Sequence, residues 1–230
     1  MEWLSESKYQ SLVEDHQVLE SAKGVIKVML LPDDRVVKLF PQKLRFSSTL
    51  VHPRGFRFVR NARRIASSGF HTVQVEQIFF SPTTRGYGVI YRLIEGEAQQ
   101  KLGSFDDSLV KALARLIANL HDSGIYFRAL HLGNIILTNH GELALIDVAD
   151  VRFSRRSLSQ QRRCRNFQHL FRLARHRVTF EEFGVDRLFD EYLNACESPS
   201  LTNSATMRRR LIDIWDHCNR QQSTGAHTTS

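Results

Sequence analysis

The chain has 230 residues, 42% hydrophobic and 24% charged, enough apolar mass for one domain or one two-lobed unit with a sizeable core. Its formal net charge of +8 favours an anionic partner such as phosphate, a membrane surface or nucleic acid, and leaves the fold open. Cys164, Cys196 and Cys218 form no CxxC pair, which argues against a disulfide framework or thiolate metal cage and fits free thiols in a reducing compartment.

The opening stretch MEWLSESKYQSLVEDH carries acids early and no apolar core, so a signal peptide is not expected. No run approaches the roughly 20 apolar residues that span a bilayer, and a cytoplasmic location is expected. Residues 25–40 are two β-rich runs around Pro32-Asp33-Asp34, the pattern of a hairpin. A helix is expected over 54–67, where Phe58, Ala62 and Ile65 recur at helical spacing and Gly69 follows as a stop. Its other faces are rich in arginine. Residues 73–80 and 86–94 form a second hairpin pattern across Ser-Pro-Thr-Thr-Arg.

Beyond residue 95 the pattern turns helical. Leu109, Leu113, Leu116, Ile117 and Leu120 make one apolar stripe, with Asp106 or Asp107 to cap its start and Gly124 to end it. Two short apolar runs, NIILT and LALIDV, then flank the turn Asn139-His140-Gly141. Residues 166–218 read as mostly helical, including VDRLFDEYLNAC and MRRRLIDIWDHC. The tail 219–230 lacks apolar periodicity and is expected to be disordered.

The chemistry-bearing stretch is GIYFRALHLGNIILTNHGELALIDVADVRF, residues 124–153. Asn134 follows a short loop, and Asp147 closes the second arm of the hairpin. That arrangement allows a carboxamide and a carboxylate to face each other. Two such oxygens suit magnesium, which keeps several waters and takes further ligands from phosphates.

This stretch resembles the catalytic loop and metal-binding strand of the protein-kinase superfamily, His-Arg-Asp, four residues, Asn, then Asp-Phe-Gly. Phe127-Arg128-Ala129 falls on the first motif, Asn134 on the metal-binding asparagine and Asp147-Val148-Ala149 on the last. The wording LHLGNIIL…GELALIDVAD looks closer to the small bacterial sugar and lipopolysaccharide kinases of the Kdo/WaaP type, and most like the toluene-tolerance proteins of Gram-negative bacteria. The resemblance implies an α+β fold of two lobes: a β-rich N-lobe over 1–95 and a helical C-lobe over 96–218. It implies ATP and Mg2+ as cofactors. Lys38 in RVVKLF would hold the ATP phosphates, backbone groups of Arg92, Leu93, Ile94 and Glu95 would meet adenine, and Asn134 and Asp147 would hold the metal.

Three departures stand out. Ala129 occupies the position of the usual catalytic aspartate, Gly24 stands alone where a glycine-rich loop would be, and the helix 54–67 has no acid to pair with Lys38. His131 and Asp150 are candidate substitutes for the missing base, and Arg128 either braces the loop or meets phosphate. Phosphoryl transfer draws most of its acceleration from positioning and charge neutralisation, and general-base help is worth about 10²–10⁴-fold. Arg152, Arg155, Arg156, Arg162, Arg163 and Arg165 cluster just after the metal strand, where an anionic acceptor would sit; Arg54, Arg57, Arg60, Arg63 and Arg64 read as a solvated helix face.

Three readings follow. The first is a kinase that phosphorylates an anionic acceptor such as a lipopolysaccharide core sugar at the cytoplasmic face of the inner membrane, with peripheral membrane contact. The second is a pseudokinase that binds nucleotide as a regulator or scaffold, favoured by Ala129. The third is a basic nucleic-acid-associated module, for which no aromatic stacking pattern or RNA-binding motif is present.

Overall fold

A computed structural model of the chain describes residues 2–41, 53–98, 106–197 and 204–223. The fold is mixed α+β and divides into two compact units, residues 1–95 with 144–149, and residues 96–143 with 150–230. The break at residue 95 is where the sequence pattern changes. The return of 144–149 to the first unit corrects the expectation of two segments contiguous in sequence, and it carries Asp147 with it.

The first unit is built on a six-stranded sheet. Its elements are β1 (Glu2–Trp3), β2 (Gln17–Ala22), β3 (Val25–Leu30), β4 (Arg35–Pro41), β5 (Val75–Ser81) and β6 (Gly86–Arg92), in the spatial order β1-β5-β6-β4-β3-β2. Both expected hairpins form. The turn between β3 and β4 is closed by Leu31 N–H to the Arg35 carbonyl at 2.8 Å, with Asp34 at φ 60°. Helices α1 (Glu6–Leu12) and α2 (Arg54–Ser67) complete the unit.

Side-chain alternation along β4 decides where the chemistry can lie. Val37 and Leu39 point to one face and join Leu4, Tyr9, Val13, Met29, Phe79 and Ile90 in a core that includes α1. Lys38 and Phe40 point to the other. There Phe58 of α2 packs between Phe40 and Tyr91, with ring centroids 5.6 and 5.7 Å away. The expected stripe Phe58, Ala62 and Ile65 is at most 1% exposed.

Gly88 of β6 sits beneath the Phe79 ring, where a Cβ would come within 2.1 Å of the ring. We expect Gly88→Ala to destabilise the protein by about 1–3 kcal/mol through overpacking. Urea unfolding of the two proteins checks this, and a midpoint unchanged by the substitution would mean the ring moves aside freely.

The second unit contains β7 (Gly96–Ala98), α3 (Asp107–Asp122), β8 (Ile125–Phe127), β9 (Ile135–Thr138), β11 (Val151–Phe153), α4 (Gln160–Phe171), α5 (Ala174–Phe183), α6 (Val185–Ala195) and α7 (Ser204–Ser223). The short strand β10 (Leu143–Leu145) lies at the boundary between the units. Asp106 caps α3, its carboxylate accepting from Leu109 N–H at 2.8 Å. Strand β7 pairs antiparallel with β9, and β8 with β11. Edge-to-face rings fill the helical core: Phe171 lies 5.1 Å from Phe180 and 5.0 Å from Trp215, and Phe167 lies 4.8 Å from Tyr192.

Two expectations change here. Helix α7 continues through residues 219–223, so the start of the expected disordered tail is helical; Asn219 donates to Glu181 across a surface at 3.4 Å. Residues 224–230 of that tail lie outside the described residues. Arg163, expected within a basic substrate-facing cluster, is fully buried. Its neighbours explain why, as described below.

Candidate functional site

Lys38 lies in the middle of the first unit's sheet, between Val28 on β3 and Val89 on β6. Its Nζ is 2.9 Å from Asp147 Oδ1, with the lysine side chain 12% and the aspartate 33% exposed. The segment that delivers Asp147 is tied to the same unit at three points. Leu145 N–H donates to the His71 carbonyl at 2.9 Å, and Thr72 Oγ1 donates to the Leu145 carbonyl at 2.7 Å. Asn61 Nδ2 of α2 donates to the carbonyls of Val148 and Ala149 at 2.8 and 3.3 Å.

Asp147 itself has φ 55°, the left-handed region. Aspartate tolerates that conformation better than most residues, and such backbone is held only where its surroundings over-determine it. Here the flanking hydrogen bonds at Leu145, Val148 and Ala149 do so. Tyr91, a diagonal neighbour of Lys38 across β4 and β6, has its hydroxyl pushed well above the ordinary phenol range. Burial is the main cause, and the negative charge of Asp147 adds to it. The hydroxyl therefore stays protonated beside the ion pair.

Lys38 thus finds its counter-charge on Asp147, in a helix α2 environment without acids. The position that ties α2 to this segment is Asn61, only 1% exposed, which sequence reasoning passed over. A signal was present: Asn61 adjoins Ala62 inside the stripe that Phe58 and Ile65 define, and a polar residue on a buried face needs a hydrogen-bond partner. Chemically, the pair offers an ammonium group suited to phosphate and a carboxylate suited to a divalent cation. They neutralise each other while neither ligand is bound.

In the second unit, the loop after β8 is held from below. Asn166 of α4 donates from Nδ2 to the Phe127 carbonyl at 2.6 Å and accepts from Phe127 N–H at 3.3 Å. Asn134 is 8% exposed, and its carboxamide is fixed at both hydrogens. Nδ2 lies 2.9 Å from the Ala129 carbonyl and 3.1 Å from His131 Nε2. That leaves Oδ1 as the acceptor end of the group, the atom a hard cation would use.

Since Asn134 Nδ2 can only donate, His131 receives at Nε2 and carries its proton on Nδ1. The ring lies 5.6 Å from that of His176, which is itself 1% exposed. His131 therefore orients Asn134 in this arrangement. Its Nε2 lone pair, the one a base would use, is engaged.

The remaining expected residues are spread more widely. Arg128 is exposed, and Asp150 is half-buried at the end of the 3-10 turn Val148–Asp150. Of the adenine-contact candidates, Leu93 spends its N–H on the Asp34 carbonyl at 2.9 Å, and Arg92 Nε bonds Glu76 at 2.7 Å; Ile94 is half-buried and Glu95 exposed. Arg152, Arg155 and Arg156 are all exposed on β11 and the segment after it. Where a glycine-rich loop was sought, a tight turn joins β2 to β3, with Lys23 and Gly24 at φ 54° and 73°, the hairpin turn in which both central residues are left-handed.

Among the described residues, no group of three or more His, Cys, Asp or Glu side chains converges to hold a metal ion. No helix among those residues is long and apolar enough to cross a membrane. Neither protein-family models nor curated proteins match the chain.

Proposed function

We propose that the chain is a kinase-like protein that binds ATP with Mg2+. The observation that carries this reading is the 2.9 Å pair of Lys38 and Asp147: a strand lysine and a left-handed aspartate brought together from distant positions. On this reading Lys38 meets the nucleotide phosphates and Asp147 holds the metal. The metal would draw charge from the phosphoryl oxygens. Asn134, with its amide hydrogens committed to Ala129 and His131, keeps its oxygen available in the second unit. An ammonium group and a cation on the phosphates are the main electrostatic requirements of phosphoryl transfer. The acceptor we favour is anionic, a phosphorylated sugar of the lipopolysaccharide core, consistent with the chain's basic surface.

Ala129 and the engaged Nε2 of His131 support a second reading. With no side chain free to accept the acceptor's proton at either position, the protein would be a nucleotide-binding pseudokinase, a regulator or scaffold.

Thermal unfolding with and without ATP and Mg2+ tests the shared premise. A ligand at a hundred times its Kd stabilises by about 2.7 kcal/mol, which for a chain of this size raises Tm by roughly 5–10 °C. We expect that shift in the wild type and its loss in Asp147→Asn, chosen because asparagine also accepts left-handed backbone. No shift in the wild type, or an equal one in the variant, removes both readings. Ala129→Asp then separates them. Phosphorylation of core lipopolysaccharide by the wild type supports the kinase, and phosphorylation by the variant alone supports the pseudokinase.

A further inference from the structure

The second unit carries a set of basic groups that the nucleotide reading does not use. Tyr126 of β8 hydrogen-bonds through its hydroxyl to His169 Nε2 on α4 at 3.0 Å. Arg152 of β11 stands directly across from Tyr126 in the β8–β11 register. Arg128 follows β8 directly, in the turn that Leu130 N–H closes on the Phe127 carbonyl at 3.0 Å. Arg165 and Arg172 flank His169 at positions i−4 and i+3 of α4 and its C-terminal cap, hence on one helix face. All four arginines are exposed, while Tyr126 and His169 are half-buried.

Among the described residues no carboxylate pairs with Arg128, Arg152, Arg165 or Arg172. This contrasts with Arg187 and Arg208 on neighbouring helices, which have acidic partners. The local field reflects the difference. Burial, and then the charges of Arg172, Arg128 and Arg165, hold His169 below the ordinary histidine range. Like charges gathered around a half-buried imidazole repel one another, and a bound anion relieves that repulsion. Guanidinium groups are suited to phosphate because their paired N–H donors match two of its oxygens.

We propose that Arg128, Arg165, Arg172 and His169, with Tyr126 beneath and Arg152 alongside, form a binding site for the phosphate group of a small phosphorylated ligand such as a sugar phosphate. The site overlaps the basic cluster expected from the sequence at Arg152 and Arg165, adds Arg128, His169 and Arg172, and leaves out Arg155 and Arg156. Arg128 thereby gains a phosphate role. The inference stands on the second unit alone and is independent of nucleotide binding by Lys38 and Asp147.

Calorimetric titration with inorganic phosphate at constant ionic strength, without nucleotide or Mg2+, tests it. We expect saturable binding in the wild type and at least a tenfold loss in Arg165→Gln/Arg172→Gln. The control Arg60→Gln/Arg63→Gln removes the same charge from α2 and is expected to keep wild-type affinity. An equal loss in the control would show general charge attraction and overturn the site, as would absence of phosphate binding by the wild type. Glucose 6-phosphate, but not glucose, is expected to compete with phosphate. Displacement of phosphate by single-stranded RNA at about physiological salt, without competition from the sugar phosphate, would overturn the small-ligand assignment in favour of nucleic acid. The titration contains neither nucleotide nor Mg2+ and its test substitutions lie on α4 and its cap, so failure of the nucleotide reading leaves this result intact.

Discussion

Replacing Arg163 by alanine is expected to cost about 3–5 kcal/mol, the range for breaking a buried ion pair by removing one partner. Arg163 has no exposed surface, yet every part of its head is engaged. Nε donates to the Leu158 carbonyl at 2.9 Å, Nη1 reaches the Tyr192 hydroxyl at 3.2 Å and Cys196 Sγ at 3.4 Å, and Nη2 pairs with Asp122. The alanine variant leaves the Asp122 carboxylate without its main counter-charge and opens a void in the aromatic core.

The consequence reaches the candidate site through one short chain of contacts. Tyr192 also bonds His121 Nδ1 at 2.9 Å, and His121 Nε2 meets Asn166 Oδ1 at 3.2 Å. Asn166 is the residue that clamps Phe127, from which the loop to Asn134 departs. Chemical denaturation measures the cost. Arg163→Lys is the informative companion, because it keeps the charge but loses the fork of donors. A loss below about 1 kcal/mol in the alanine variant would mean that the network rearranges around the void.

Arg163 also shows where sequence reasoning reaches its limit. Within the run QQRRCRNFQHLF it is one basic residue among several, and Arg162 and Arg165 beside it are indeed exposed. What separates them is helix phase: Arg163, Asn166, Phe167 and Leu170 share the buried face of α4. The polar residues on that face are read as solvent-facing until their partners on α3 and α6 are known. The same holds for Asn61, whose partners lie far along the chain. Apolar patterning placed α2, α3 and both N-terminal hairpins because most of the buried side chains there are hydrocarbon.

Elements with little burial left little trace. Strand β2 is exposed along its whole length at the sheet edge, so it has no in-out alternation to read. Lys38 was legible as a strand lysine preceding Asn134 and Asp147 in order. Its pairing with Asp147 was not, since that depends on a left-handed backbone angle and on tertiary hydrogen bonds at Thr72 and Asn61.

The buried histidine in this network predicts how stability responds to acid. His121 is fully buried, and desolvation, with the charge of Arg163 adding to it, lowers its pKa to about 3. In the unfolded chain an unperturbed histidine titrates near pH ~6.5. The folded value is therefore depressed. The stability from keeping His121 neutral is present in full above pH ~6.5 and falls away toward pH about 3, as the unfolded chain takes up a proton that the folded one refuses. At pH 5 the loss amounts to about 2 kcal/mol relative to neutral pH.

His121→Gln removes the titration while keeping a side chain able to reach Tyr192 or Asn166. The variant is expected to be less stable at pH 7 but to lose about 2 kcal/mol less than the wild type between pH 7 and pH 5. Carboxylates and His169, present in both proteins, cancel in that difference. Parallel slopes across the window would show that the folded protein admits the proton at His121. The loop anchor at Asn166 would then tolerate a charged neighbour, and mild acid would leave the Phe127–Asn134 segment in place. With the expected divergence, acid instead weakens the support beneath that segment through the His121–Asn166 contact.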